Sequence, residues 1–340
     1  MGNCAPHCQP LSFEKFSPEE FLQKTRSRSR KPSNIHEIAT ILSRQLEEYT
    51  YVSSTVTKLQ SVFVYKGELI STGMPVIVKF IRIDNMALLS NYLAKIGMPR
   101  SQRSKYLLTP DALSCDVDRR KLALEYPQGQ SLAEKLVKVK KFDLLNACKV
   151  IRSMVESICC TQDLHQADFV HGNIKPENII HLDNIWRPCD ESSFEKLMIY
   201  SEGLGANELL ALNPYLPFEV MSKFKGKELT ELAKKFDVFS LGLVLVQMLG
   251  TEQSELPFAS LKEEKFMKKK QQILEFWKIK DQYFAALLDG MLMRRPEQRL
   301  TLREVGERLD VIINSLKKVY FDKKPMVITR EGGFYSGSRN

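Results

Sequence analysis

The chain lacks a long apolar run. Its most hydrophobic stretch, Phe239–Leu249, is broken by Ser240 and Gly242 and is too short to span a bilayer. No signal-peptide-like apolar segment opens it, and no internal repeat is found. It also lacks any C-x-x-C pair. The 7 cysteines (Cys4, Cys8, Cys115, Cys148, Cys159, Cys160 and Cys189) are odd in number, and two are adjacent. That pattern suggests neither a disulfide framework nor a zinc site, and it points to a reducing compartment. Most of these thiols are expected to be small buried hydrophobes. Acidic residues are in deficit: 41 of them face 50 basic residues, a net charge of +9. Such a surplus invites an anionic partner, a membrane surface or nucleic acid. With 43% hydrophobic and 27% charged residues, a wholly disordered, collagenous or coiled-coil chain is excluded. The 340 residues suffice for a sizeable core, or for two domains at about 150 residues each.

The surplus charge is unevenly placed. Lys24–Lys31 alternates bases with hydroxyls and holds Lys24, Arg26, Arg28, Arg30 and Lys31. Such a composition buries too little apolar area to offset its ordering entropy, so residues 1–33 read as a flexible arm. Its start, Met1-Gly2-Asn3-Cys4, resembles an N-myristoylation site at Gly2 with a palmitoylation site at Cys4, although Pro6 stands where Ser or Thr is preferred. One acyl chain binds membrane only marginally, and Cys4 with the basic run supplies a second signal. This favours the inner face of a membrane over nucleic acid. A second basic run, Lys262–Lys270 with Lys278 and Lys280, reads as a solvated helix face.

Asn34 and Glu37 form a capping-box pattern ahead of Ile35, Ile38, Ile41, Leu42 and Leu46, which predicts a helix over 34–50. From Tyr51 to Ile83 the β-branched residues Val62, Val64, Val76 and Val78, with Gly67 and Gly73 as turns, predict strands. Helical spacing then dominates, through Leu144–Leu164, Val238–Leu249 and Ile273–Met293. A β-rich first part before a helix-rich remainder predicts an α+β, two-lobed architecture. The last residues, Thr329–Asn340, read as a frayed tail.

The helical part contains V-H-G-N-I-K-P-E-N-I-I at Val170–Ile180, which resembles the protein-kinase catalytic loop, H-R-D-x-K-x-x-N. Other landmarks stand in that family's order. V-Y-K-G at Val64–Gly67 and V-I-V-K at Val76–Lys79 look like its second and third strands, and L-A-L-E-Y-P-Q-G-Q-S-L at Leu122–Leu132 looks like its hinge. P-F-E at Pro217–Glu219 stands where A-P-E ends the activation segment. F-D-V-F-S-L-G at Phe236–Gly242 and R-R-P-E-Q-R-L-T at Arg294–Thr301 resemble two later blocks. The chain thus resembles a eukaryotic protein kinase. This implies a bilobal α+β fold with a small β-rich N-lobe (51–126), a larger helical C-lobe (127–318) and a tail (319–340). It also implies that Glu219 pairs with Arg299 and that Asp237 holds the catalytic-loop backbone.

The resemblance fails where the chemistry lies. The base position holds Asn173, an amide without useful basicity. Gly172 replaces the arginine that docks a phosphorylated activation segment. Lys175 and Asn178 are kept. Glu195-Lys196-Leu197 resembles the strand leading into D-F-G, which places Ile199 or Ser201 at the magnesium aspartate, with Glu202 or Asp168 as migrated substitutes. No metal site is therefore expected. The glycines of the phosphate loop fall on Thr57, Leu59 and Val62. Lys79 is present, but no glutamate lies between Glu68 and Glu125 to pair with it. In the nucleotide pocket Ile77 replaces a small alanine, Leu124 is the gatekeeper, Glu125 follows, and Pro127 lacks the N–H that would meet adenine.

The expected function is a catalytically impaired pseudokinase, a membrane-tethered scaffold or allosteric partner of another protein, itself an active kinase or its substrate. No cofactor is expected, although ATP and magnesium are the family's. The location is cytoplasmic, peripheral on the inner face of a membrane. Two alternatives stay open: a weak atypical Ser/Thr-type kinase using ATP, and a membrane- or nucleic-acid-binding module that works through its basic regions.

Overall fold

The computed structural model describes residues 49–59, 62–69, 72–82, 106–116, 121–164, 169–189, 213–217, 219, 234–250 and 263–322. The chain divides into two compact units at Gln130/Ser131. That boundary lies slightly beyond the 126/127 boundary expected from sequence. The arm (1–33), with Gly2 and Cys4, lies outside the described residues, as does most of the helix expected over 34–50.

The first unit is built on a five-stranded antiparallel sheet in the order β1-β2-β3-β5-β4. Its strands are β1 (Tyr49–Leu59), β2 (Val62–Leu69), β3 (Met74–Arg82), β4 (Asp111–Asp116) and β5 (Lys121–Pro127). β1 starts at Tyr49, so the last two residues of the expected helix, Tyr49 and Thr50, are extended instead. Thr72 and Gly73 turn the chain between β2 and β3. Gly73 sits at φ 64°, where a side chain is strained, and Thr72 Oγ1 accepts the Met74 N–H at 3.3 Å. Val76 and Val78 are fully buried, and Leu124 and Tyr126 on β5 are buried as well.

The described residues of the second unit are mainly helical, with one hairpin. Its helices are α1 (Leu132–Val139), α2 (Leu144–Leu164), α3 (Phe236–Met248), α4 (Glu263–Lys280), α5 (Gln282–Met291) and α6 (Leu302–Asp322). The hairpin pairs β6 (Ile179–Leu182) with β7 (Ile185–Pro188). Its two-residue turn, Asp183-Asn184, has φ values of 52° and 61°. Asp and Asn tolerate that left-handed geometry, which matches the twist of a tight hairpin.

α3 is the centre of the unit. Every residue from Phe236 to Val246 is buried, so the apolar run that could not span a membrane is a core helix. Gly242 makes room for α5: a Cβ there would meet Leu292 Cδ2 at 2.9 Å. α2 lies against α6. The ion pairs Arg152–Asp310, at 2.8 Å, and Arg303–Asp163 strap their rims. These pairs are partly exposed and contribute little. The apolar periodicity read as one helix over Ile273–Met293 is two helices. Asp281 breaks it by capping α5, its carboxylate accepting the Phe284 N–H at 2.9 Å.

The run Lys262–Lys270 is also more than a solvated face. Lys265 and Lys268 are exposed, but Lys270 is 4% exposed, with Nζ 2.6 Å from Asp289 Oδ1 and 3.1 Å from the Asp289 carbonyl. A buried lysine needs such a partner. Among the described residues Cys148, Cys159, Cys160 and Cys189 are free thiols. Burial, with smaller contributions from Asp281 and Asp143, pushes Cys148 up to about 12, so it is a hydrophobe rather than a nucleophile. Among the described residues no helix is long and apolar enough to cross a membrane.

Candidate functional site

The candidate loop runs through Val170–Asn178 and is held from behind by α3. Asp237, at the start of that helix and 1% exposed, accepts the His171 N–H at 2.8 Å and the Gly172 N–H at 2.9 Å. Burial raises Asp237 to about 6, and the two backbone donors oppose that rise. Gly172 occupies φ 70°. The sequence showed only the loss of an arginine here. The backbone conformation shows that glycine is the residue that adopts this position without strain.

His171 is fully buried and structural. The Asn173 N–H points at its Nδ1 from 3.3 Å, which leaves Nε2 to donate to the Cys189 carbonyl at 3.1 Å. Lys175, half-buried, precedes a single 3-10 turn, Pro176–Asn178, where proline suits the first position. Asn178 is buried, and its Nδ2 donates to the Asn173 carbonyl at 3.0 Å. Its own carbonyl accepts the Cys189 N–H at 2.8 Å, which ties the loop to the end of β7.

Asn173 faces a second amide. Asn213, buried, accepts the Tyr215 N–H on Oδ1 at 2.9 Å, so Nδ2 is the atom it turns toward Asn173 Oδ1 at 3.2 Å. Sequence reasoning missed Asn213, because nothing in its neighbourhood marks it apart from its closeness to Pro217–Glu219. Tyr215 is locked in turn: its hydroxyl meets Gln247 Oε1 at 2.5 Å, and its carbonyl accepts from Ser240 Oγ at 2.9 Å.

The predicted anchor pair is formed. Arg299 places Nη1 and Nη2 at 2.5 and 3.2 Å from the two carboxylate oxygens of Glu219, with both residues nearly fully buried. Arg299 also donates to the carbonyls of Met293, Lys235 and Arg294, at 3.0, 2.8 and 3.3 Å. Its guanidinium carbon lies 4.9 Å from the Phe239 ring centroid. A bidentate pair with every remaining donor occupied is what makes a buried ion pair tolerable.

The sheet-borne candidates lie in the first unit. Lys79 pairs with Val64 on β2 and Leu124 on β5, and Ile77 pairs with Lys66 and Tyr126. The Lys79 side chain lies outside the described residues. Ile77 is half-buried, Leu124 and Glu125 are buried, and Pro127 is exposed at the end of β5 opposite Val76. Thr57 and Leu59 stand in β1 and Val62 in β2.

The catalytic loop runs directly into β6 and, through the two-residue turn of the hairpin, into β7 (Ile185–Pro188). The segment 195–203, where the strand leading into D-F-G and the D-F-G position itself are expected, lies outside the described residues, as do Asp168 and Glu202. The chain leaves β7 through Cys189, and the next residue in sequence is Asp190. Among the described residues no group of three or more His, Cys, Asp or Glu is placed to hold a metal. Asn178 offers a single amide.

Comparison with known proteins agrees with this architecture. Residues 60–308 match the protein kinase domain. A calcium/calmodulin-dependent serine/threonine-protein kinase of Malus domestica is 26% identical over 137 residues, which cover 38% of this chain and 29% of that protein. Ribosomal protein S6 kinase 2 beta of Xenopus laevis is 28% identical over 144 residues, 41% of this chain and 21% of that protein. The chain therefore spans less than a third of these relatives' lengths. With the catalytic loop, its aspartate brace and the Glu219–Arg299 anchor all in place, the chain belongs to the protein kinase domain family.

Proposed function

We propose that this protein is a pseudokinase: a kinase-like domain that works as a scaffold or allosteric partner of another signalling protein, tethered to the inner face of a membrane by its N-terminal arm. The observation that carries the reading is Asn173. It stands where the family has its proton acceptor, and its side-chain oxygen is engaged by Asn213 Nδ2 at 3.2 Å. A positioned general base is worth about 10²–10⁴ in rate, so a kinase of the usual 1–100 per second falls to roughly 1 per second or below. Thr57, Leu59 and Val62 in place of glycines, and the absence of glutamate between Glu68 and Glu125, act in the same direction. Gly2, Cys4 and the basic run supply the tether. Fractionation of Gly2→Ala checks it, since unchanged membrane association would sink the tether.

A second reading is a weak phosphotransferase. What favours it is the hairpin, because a carboxylate, Asp190, stands two residues past the end of β7 in sequence, and Asn178, Lys175 and Lys79 remain. If magnesium and ATP bind, Asn178 and Asp190 would hold the metal, which supplies charge neutralisation at the phosphates. Thermal melting with and without Mg-ATP, paired with a phosphotransfer assay, separates the readings. Ligand at a hundredfold its dissociation constant stabilises a binder by about 2.7 kcal/mol. The pseudokinase reading expects no transfer from the wild type. Transfer by the wild type that is lost with Asp190→Asn would overturn it.

A further inference from the structure

Five successive residues at the end of α1, Val137–Lys141, are exposed. Three are lysines, and the valines at 137 and 139 are 82% and 40% exposed. A branched aliphatic on the outer face of a helix is poorly placed, both for hydration and for its stiff side chain. The start of α1 is well made by contrast, with a capping box between Ser131 and Glu134.

The backbone at the end of the helix is strained. Lys140 has φ 60° and ψ −45°, and the Lys141 N–H bonds the Val139 carbonyl at 2.6 Å. That is a γ-turn with positive φ at a non-glycine centre, a rare conformation whose presence marks a held structure. The Lys140 N–H bonds the Leu136 carbonyl at 2.8 Å, and the Phe142 N–H bonds the Met248 carbonyl at 2.7 Å. The turn is thereby fixed to the end of α3. Lysines are thus displayed at an ordered knuckle rather than on a loose loop.

The charge of the knuckle is uncompensated. The nearest carboxylates in sequence face other groups: Glu134 accepts the Ser131 N–H at 3.2 Å, and Asp143 takes the Asn146 N–H and Nδ2 at 2.8 and 2.6 Å. Among the described residues no ion pair reaches Lys138, Lys140 or Lys141.

We propose that this knuckle docks on an anionic lipid bilayer, with Lys138, Lys140 and Lys141 at the headgroups and Val137 and Val139 entering the interface. A bilayer satisfies both chemistries at once, cations against phosphates and aliphatic groups against acyl chains. An extended acidic peptide would pair the lysines and leave both valines in water. The proposal stands independently of any acylation of Gly2.

The test is flotation of the unacylated full chain with phosphatidylcholine vesicles, with and without phosphatidylserine. The wild type is expected to bind only the anionic vesicles, and less as salt rises. Lys138→Ala/Lys140→Gly/Lys141→Ala is expected to lower partitioning about a hundredfold, at about fivefold per lysine. Val137→Asn/Val139→Asn should weaken it at unchanged charge. The single exposed-helix change Lys138→Glu should lower it more than about fivefold, and it reads the same surface without touching the strained turn. The proposal is overturned if the wild type ignores anionic vesicles. It is overturned equally if the triple variant binds like the wild type while neutralising Arg26, Arg28 and Arg30 abolishes binding. Capture of a polyglutamate peptide without vesicle binding would assign the surface to an acidic protein and overturn it too.

Discussion

Behind the catalytic loop, ionised side chains are buried and fully engaged. Asp237 accepts two backbone N–H groups, and Glu219 and Arg299 meet through a double hydrogen bond. On the same loop, Asn173 meets Asn213 as one neutral amide meets another. The two regions share one scaffold, yet only the first keeps the family's charges. The difference teaches that bracing the loop and doing chemistry on it are separable demands. Removing a buried anchor strands a charge in the core, so the anchors answer to folding. A half-exposed amide in place of a carboxylate strands nothing.

That contrast can be broken at three strengths. Arg299→Ala leaves Glu219 ionised and buried and is expected to cost about 3–5 kcal/mol, a fall of roughly 6–20 °C in Tm by calorimetry. Glu219→Met/Arg299→Leu should recover most of that loss. A double variant no better than the single would mean the pair is not coupled.

Asp237→Asn is the intermediate case, with an expected loss of about 1–3 kcal/mol. Its pH dependence has a definite sign. Burial raises the folded-state value from 3.8 to about 6, so the folded chain takes up this proton before the unfolded chain does. The stability linked to Asp237 is fully present below the unfolded value of 3.8 and is lost as pH rises through about 6. Denaturant titrations should therefore show the gap between wild type and Asp237→Asn widest near pH 4 and narrowing toward pH 7. A gap that widens with pH would refute the assignment.

Asn173→Asp should have the smallest effect, below about 1 kcal/mol, because Asn213 Nδ2 donates to a carboxylate as readily as to an amide and residue 173 is only half-buried. A large loss would show that the neutral pair is itself an anchor.

The anchors were legible because each lies in a run of residues whose spacing is distinctive, and the resemblance joins partners far apart in sequence. Asn213 was not legible, since a lone asparagine beside a proline reads as a turn. The break at Asp281 was hidden because the apolar periodicity continues across it, and only the cap reveals the division. Lys270 was read with its exposed neighbours, although its register on α4 turns it toward Asp289. Gly172 was read as a loss, whereas its φ of 70° gives it a reason to be there.

The Glu219–Arg299 pair also bears on how the protein is made. Its two members are 80 residues apart in the chain. At synthesis rates of roughly 5–20 residues per second, the carboxylate leaves the ribosome on the order of 4–16 s before its partner exists. Through that interval α3 has no guanidinium to pack against Phe239, and the carboxylate belongs in water. The large lobe therefore cannot close from its N-terminal side as it emerges. It closes last, when the segment carrying Arg299 arrives, and nascent chains halted short of that point should be the ones held by chaperones.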